Sequence, residues 1–313
     1  MLDDEVRALR ILAQPTPLPA FSKYHHLRSR ELLGQGGQGL VFKCVTYDGE
    51  IVVSKEMTFT DNDRTLFLAR LHQAENMRKL SHKHLIKYLD VIGSENPLKI
   101  AVIMPYYSEG DLFRFIKRQR GPIGEHKLCS IILQIASALD YLHTLNPPLV
   151  HRDIKPDNIL LLNREQVLLM DLDLCRSYDA QPSASARVLQ EQQEASPTFE
   201  YRAPELAHSA GSVKSDVFSL GVVAFVLATL PEFAVLQNDS GTTTVLNDSD
   251  WTRNSLALAI RRDIQRHTRN YSDELIMLII NMLRHKPAER PKAMEVRVQL
   301  SKIMERRLLE QGG

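Results

Sequence analysis

The chain has 313 residues, 43% of them hydrophobic and 25% charged, with a formal net charge of +1. That composition is globular, with apolar material for one large core or two smaller ones. The near-zero charge excludes the basic bias of a nucleic-acid binder and the acidic bias of a solvating tail.

Residues 1–22 are expected to be an extension. Val6, Leu9 and Leu12 have helical spacing, but Pro15-Thr16-Pro17-Leu18-Pro19 cannot continue a helix. Residues 41–45 and 51–55 read as strands joined across Tyr47-Asp48-Gly49-Glu50, a hairpin signal. The spacing of Leu66, Ala69, Met77 and Leu80 predicts a helix over 62–80, and 98–104 reads as another strand. After residue 110 the texture is helical: 128–143, ended by Asn146-Pro147-Pro148, then 213–230, 255–266, 271–284 and 293–309. Strands first and helices afterwards predict an α+β fold of two lobes, a type that commonly binds ligands in a cleft. The apolar run 220–230 is too short to cross a bilayer and is interrupted by Gly221. The N-terminal Met-Leu-Asp-Asp-Glu has neither a signal-peptide charge pattern nor a glycine for myristoylation. Cys44, Cys129 and Cys175 stand far apart without metal-ligand spacing, which suits plain thiols in a reducing compartment. A cytoplasmic location is therefore expected, with nuclear or peripheral membrane association left open.

The densest chemistry lies in His151-Arg152-Asp153-Ile154-Lys155-Pro156-Asp157-Asn158, which follows a helix and a proline break. A tight loop here would converge the Asp153 carboxylate, the Lys155 ammonium and the Asn158 amide. The carboxylate suits orienting an attacking hydroxyl and taking its proton. The lysine suits neutralising phosphate charge, and the amide oxygen suits Mg2+, a hard cation that prefers oxygen. The run resembles the catalytic loop of eukaryotic protein kinases, and the resemblance covers about residues 25–308. A solvated charged turn, the alternative, would not match over eight residues.

Lys155 is the serine/threonine-type variant of that loop. The resemblance implies the two-lobed protein kinase fold: an antiparallel sheet plus one helix in the first lobe, and a mainly helical second lobe. It implies an extension over 1–22, a kinase domain over 23–308 and a tail over 309–313. Within the domain the first lobe would run to about 104, the hinge over 105–110 and the second lobe over 111–308. It implies transfer of the γ-phosphoryl of ATP, with Mg2+ or else Mn2+, to serine or threonine hydroxyls of a protein substrate. Nucleic acid is not expected as a partner, and a monomer is the default.

Gly34-Gln35-Gly36-Gly37-Gln38-Gly39, following Glu31-Leu32-Leu33, is similar to the loop that covers ATP phosphates. Alone such a glycine pattern is weak; its place between two strands gives it weight. Lys55, sixteen residues after Gly39, looks like the lysine that grips the α- and β-phosphates and counts with Asp153 and Lys155 as catalytic. Asp171, after the strand reading 166–170, matches the metal-binding aspartate, with Asn158 as the second ligand. Leu33, Val41, Val53 and Leu160 would bind the nucleotide. Met104 would be the gatekeeper, the backbones of Pro105 and Tyr107 would contact adenine, and Asp111 could reach the ribose. Plain core packing is the other reading of the apolar positions, and both can hold together. Glu205 in Ala203-Pro204-Glu205 is expected to pair with Arg290, and Asp216 to hold the catalytic-loop backbone.

Two departures from the family pattern stand out. Asp171-Leu172-Asp173 replaces Asp-Phe-Gly, and Asp173 stands where a glycine tolerates unusual backbone angles. Its extra carboxylate could add a metal ligand, repel ATP or face solvent. Second, the helix position that usually pairs with the strand lysine holds Gln73. Glu75 lies two residues later and about 200° round the helix, so a local bulge would be needed to bring it in.

Thr198 matches the threonine that usually contacts the catalytic aspartate. Glu194 stands where many kinases carry an activating phosphosite, and Ser183, Ser185 and Ser196 are candidate phosphosites; a mobile polar loop is the other reading. Within the kinases the chain is similar to the small members of the Numb-associated-kinase family, through Leu169-Met170-Asp171-Leu172, a helix-like stretch at 187–194 and Ser255-Leu256-Ala257-Leu258-Ala259-Ile260. Residues 238–250 read as a polar insertion. A pseudokinase, binding nucleotide as a scaffold or allosteric partner, is the main rival, favoured by Asp173 and Gln73. A small-molecule kinase is disfavoured by the complete activation segment.

Overall fold

The structure is a computed structural model that describes residues 22–36, 39–121, 123–178, 201–207, 211–229, 255–268 and 270–311. Expectations for residues 1–21, Gly37, 179–200 and 230–254 lie outside the described residues. These include Thr198, Glu194, the three candidate phosphosites, the stretch 187–194 and the insertion 238–250. The chain divides into two compact units, one holding the described residues up to 82 and 86–107, the other 83–85, 108–178 and those from 201 onward. The architecture is α+β: a five-stranded antiparallel sheet with one long helix, followed by a mainly helical part.

The first unit is a sheet of β1 (Leu27–Gly36), β2 (Gly39–Thr46), β3 (Ile51–Thr58), β4 (Asp90–Glu95) and β5 (Leu98–Pro105), in the order β1-β2-β3-β5-β4. Gly49, at φ 86°, makes the β2–β3 turn, and Thr46 Oγ1 accepts from the Glu50 amide at 2.9 Å. Alternation sends Cys44, Val52 and Ile103 to one face, each at most 1% exposed, under Tyr24, Leu27 and Phe42. Full burial of the aliphatic side chains Val52 and Ile103 contributes about 1.5–3 kcal/mol each. The helix α1 (Arg64–Arg78) is preceded by a short turn, Asp61–Asp63, capped by Thr60, so the expected 62–80 helix begins and ends slightly inside its bounds.

The second unit contains α2 (Leu112–Arg118), α3 (Glu125–His143), the short strands β6 (Leu149–Val150), β7 (Ile159–Leu161), β8 (Val167–Leu169) and β9 (Arg176–Ser177), and α4 (Val213–Ala228). Helices α5 (Ser255–His267), α6 (Asp273–Met282) and α7 (Ala293–Gln311) follow. Ser212 caps α4 with its hydroxyl on the Lys214 amide at 3.2 Å. Residues 220–228 of the apolar run noted in the sequence form the C-terminal part of α4, and each of them is buried. Its glycine permits close packing: a Cβ on Gly221 would lie 2.8 Å from the Met282 Cβ of α6. The three cysteines are buried and form no disulfide. No helix among the described residues is long and apolar enough to cross a membrane.

Candidate active site

Loop 151–158 hangs from one buried carboxylate. Asp216, in the first turn of α4 and 1% exposed, accepts from the backbone N–H of His151 and of Arg152, each at 2.8 Å. His143, the last residue of α3, donates Nε2–H to the same group at 2.8 Å. Of the described residues other than glycine, Arg152 (φ 72°) and Asp171 (φ 62°) take positive φ. Each left-handed residue costs of order 1–3 kcal/mol, and such strain gathers where surrounding structure over-determines it. The His151 ring ties the loop to the strand beside it: Asp153 N–H donates to Nδ1 at 3.3 Å, and Nε2–H donates to the Met170 carbonyl at 3.1 Å. Met170 N–H in turn donates to the Asn158 carbonyl at 2.9 Å. Asp171 therefore follows directly on a residue bonded to both ends of the loop.

The three side chains predicted to converge do so. Lys155 Nζ lies 2.9 Å from Asp153 Oδ2, and Asn158 Nδ2 donates to the same oxygen and to the Asp153 carbonyl, each at 2.8 Å. Both donors meet on Oδ2, so among the described residues Oδ1 is the carboxylate oxygen left to accept from elsewhere. Because the Asn158 amide hydrogens are engaged, its oxygen remains for a cation. With the Asp171 carboxylate this makes a hard-oxygen donor set, which fits Mg2+.

Asp173 is 7% exposed and sits in the right-handed turn Leu172–Leu174. The left-handed residue is Asp171, so the departure from glycine at 173 imposes no positive φ, and its carboxylate does not face solvent. Burial pushes the Cys175 thiol well up, and the charges of Asp216, Asp171 and Asp173 push it further, which keeps that sulfur protonated beside the carboxylates. Burial and the charges of Arg176 and Arg202 hold the Arg152 guanidinium below its ordinary value, which marks a basic cluster beside the loop.

Below the loop lies a second buried charge. Arg290, 2% exposed, meets Glu205 in a bidentate pair at 2.7 and 2.8 Å. Its remaining donors reach the carbonyls of Arg284 (2.6 Å), Lys214 (3.1 Å) and His285 (2.8 Å), so all five N–H groups are satisfied. Burial works to raise the Glu205 pKa. Hydrogen bonds from Arg290 and Ser215, with the Arg290 charge, outweigh it and hold the carboxyl below the ordinary glutamate value. Asp111 is the N-cap of α2, accepting from the Arg114 amide at 2.7 Å, and it bridges to Leu160 in β7. The sequence signal for this cap is Asp111 directly before Leu112 and Ile116, which are buried at helical spacing. His143 and its bond to Asp216 were missed.

In the sheet unit, cross-strand pairing puts Val41, Val53, Lys55 and Met104 on one face. Val41 pairs with Lys55 and Lys55 with Val102, while Val53 pairs with Met104. Met104 is 7% exposed; Pro105 pairs with Val52, and Tyr107 closes the unit. Leu33 is the extra residue of a bulge between the pairs Leu32–Phe42 and Gly34–Val41, and it is 44% exposed. A Cβ on Gly34 or Gly36 would meet nothing within 4 Å, whereas one on Gly39 (φ 132°) would lie 2.1 Å from the Glu56 carbonyl oxygen. Gly39 is thus needed by the sheet itself, while the open side of the other two leaves room for a ligand.

On α1, Gln73 is buried, 9% exposed, beside Ala69, Ala74 and Met77. Glu75 pairs with Arg78 at 3.0 Å within an uninterrupted α-helix, so the bulge that would turn Glu75 inward is absent.

The match to the family described as "Protein kinase domain" runs over residues 27–299. The chain belongs to the protein kinase domain family. Kinase domains of this family generally use ATP with Mg2+. The chain is 28% identical to the serine/threonine-protein kinase CTR1 of Arabidopsis thaliana over 209 residues, 66% of this chain and 24% of that protein. To the serine/threonine-protein kinase PknK of Mycobacterium tuberculosis it is 32% identical over 203 residues, 64% of this chain and 17% of that one. To the LRR receptor-like serine/threonine-protein kinase GSO2 of Arabidopsis thaliana it is 27% identical over 216 residues, 66% and 17% of the two chains. The chain therefore spans less than a quarter of the length of these relatives.

Proposed function

We propose that this chain is a serine/threonine protein kinase that transfers the γ-phosphoryl of Mg-ATP to hydroxyls of a protein substrate. The observation that carries the reading is the Asp153 carboxylate, pinned through Oδ2 by Lys155 and Asn158 and, among the described residues, left with Oδ1 to accept. In the reaction a substrate hydroxyl oxygen bonds to the γ-phosphorus as the bond to the β–γ bridging oxygen breaks. ADP leaves, and the hydroxyl proton passes to Asp153. Lys155 stabilises the charge on the transferring group, and Lys55 positions the α- and β-phosphates. The residues that would hold Mg2+ are Asn158, through its amide oxygen, and Asp171; bound there, the ion would neutralise phosphate charge. Gly34, Gly36, Gly37 and Gly39 would cover the phosphates. Leu33, Val41, Val53, Met104 and Leu160 would bind the base, with backbone bonds at Pro105 and Tyr107 and Asp111 toward the ribose. Serine/threonine specificity rests on Lys155 and on the names of the relatives above. A monomer in the cytoplasm or nucleus accords with this reading. The likeness to Numb-associated kinases rests on the sequence features alone; the named relatives do not carry it.

A second reading, a nucleotide-binding scaffold with little transfer, is favoured by two observations: the buried Asp173 beside Asp171, and neutral Gln73 as the buried polar residue of α1. Transfer of labelled phosphate from ATP, with Mg2+ and then Mn2+, to the protein itself and to a basic protein separates the two. Transfer that is lost in Lys55→Met supports the kinase; nucleotide binding without transfer supports the scaffold.

A further inference from the structure

Three residues of α1 spaced seven apart, Arg64, Leu71 and Arg78, meet three successive stations on β4. Arg64 reaches Glu95 at 3.0 Å. Leu71 packs against Gly93 so closely that a Cβ there would sit 3.0 Å from its Cδ2. Arg78 reaches Asp90 at 3.1 Å. A seven-residue spacing turns an α-helix nearly two full turns, so these side chains form one stripe along the strand.

The stations are unequal. The Arg64–Glu95 pair has both side chains more than half exposed and holds little. Asp90 has a side chain only 8% exposed, so its charge requires a partner, and Arg78 supplies it. The same guanidinium holds Glu75 through Nε at 3.0 Å. Glu75 is the only carboxylate in the helix. Lys87, three residues before Asp90, donates to the carbonyls of Arg78 (2.8 Å) and Leu80 (3.1 Å) and so closes the helix C-terminus. The last turn of α1 is thereby gripped by side chain and backbone at one place.

We propose that Arg78 is a positioning residue: by holding Asp90 and the only carboxylate of α1 together, it fixes the rotation of the helix, with neutral Gln73 as its buried polar residue, before nucleotide binds. The positioning effect on nucleotide rests on the reading of Lys55 above; the clamp itself does not. An ion pair from α1 to the strand lysine is then not the device that sets this helix, and ATP does not have to order it.

The test is hydrogen–deuterium exchange over residues 64–78 of the full chain, free and with a non-hydrolysable ATP analogue and Mg2+, beside steady-state kinetics. In the wild type the helix amides exchange slowly and change less than about threefold on adding analogue. In Arg78→Met they exchange at least about tenfold faster, and KM for ATP rises about fivefold with a smaller change in kcat. Arg78→Lys, which can pair with Asp90 but lacks the fork to hold both carboxylates, recovers part of each effect and stands in if the methionine variant does not fold. Wild-type helix amides that exchange freely and gain tenfold protection only with analogue would overturn the proposal. So would variants whose exchange matches wild type, or whose melting temperature falls with KM unmoved. If the wild type neither binds the analogue nor transfers phosphate, the kinase reading fails, while exchange in the free protein still decides the clamp.

Discussion

Around loop 151–158, position is set by buried charge: Asp216 holds two backbone N–H groups, and Arg290 spends all five donors beneath it. Around Lys55, position is set by strand register and by an apolar face in which Cys44, Val52 and Ile103 are almost fully buried. The first arrangement is brittle, because removing one partner strands a desolvated charge. The second is graded, because apolar burial is lost roughly in proportion to area. A site that needs atoms held to fractions of an ångström uses the first kind of support; a surface that needs only shape and a charged tip uses the second.

The comparison can be broken from either side. Arg290→Met leaves Glu205 without its cation and should cost about 3–5 kcal/mol, read as a shift in the denaturant midpoint. Asp216→Asn keeps the shape but weakens the bonds to His151 and Arg152; about a hundredfold loss of transfer is expected with a melting temperature lowered only modestly. On the sheet side, Ile103→Val should cost about 0.5–1.5 kcal/mol, with transfer following stability rather than falling on its own. A collapse of the sheet unit at Ile103→Val, or a merely graded loss at Arg290→Met, would contradict the contrast.

The smallest effect is in pH. The Glu205 carboxyl lies below its ordinary value in the folded chain, so its contribution to stability is complete above the unfolded glutamate value of 4.5 and is lost as pH falls through the folded value. Denaturant midpoints should fall on acidification below that value, and less so in Glu205→Gln. Equal slopes in the two proteins would remove Glu205 from the account.

The loop residues were legible because one short run of sequence carries the whole constellation; the Glu205–Arg290 pair, 85 residues apart, was legible only through the family resemblance. The strand lysine was legible from its spacing after Gly39. What escaped depends on partners distant in sequence. Nothing local to Arg78 announces Asp90, and nothing local to His143 announces Asp216. The positive φ was expected to be a problem at Asp173, yet it falls on Asp171, because the turn Leu172–Leu174 closes in the right-handed sense. Burial then decided between the readings left open for two side chains: Gln73 over Glu75, and an inward rather than a solvated Asp173.

The most direct test of the central claim is phosphoryl transfer from ATP by wild type and Asp153→Asn, with nucleotide affinity measured on the same preparations. Transfer by the wild type, reduced about a thousandfold in the variant while nucleotide still binds, is the expected result. A wild type that binds nucleotide without transferring phosphate, or a variant as active as the wild type, would contradict it.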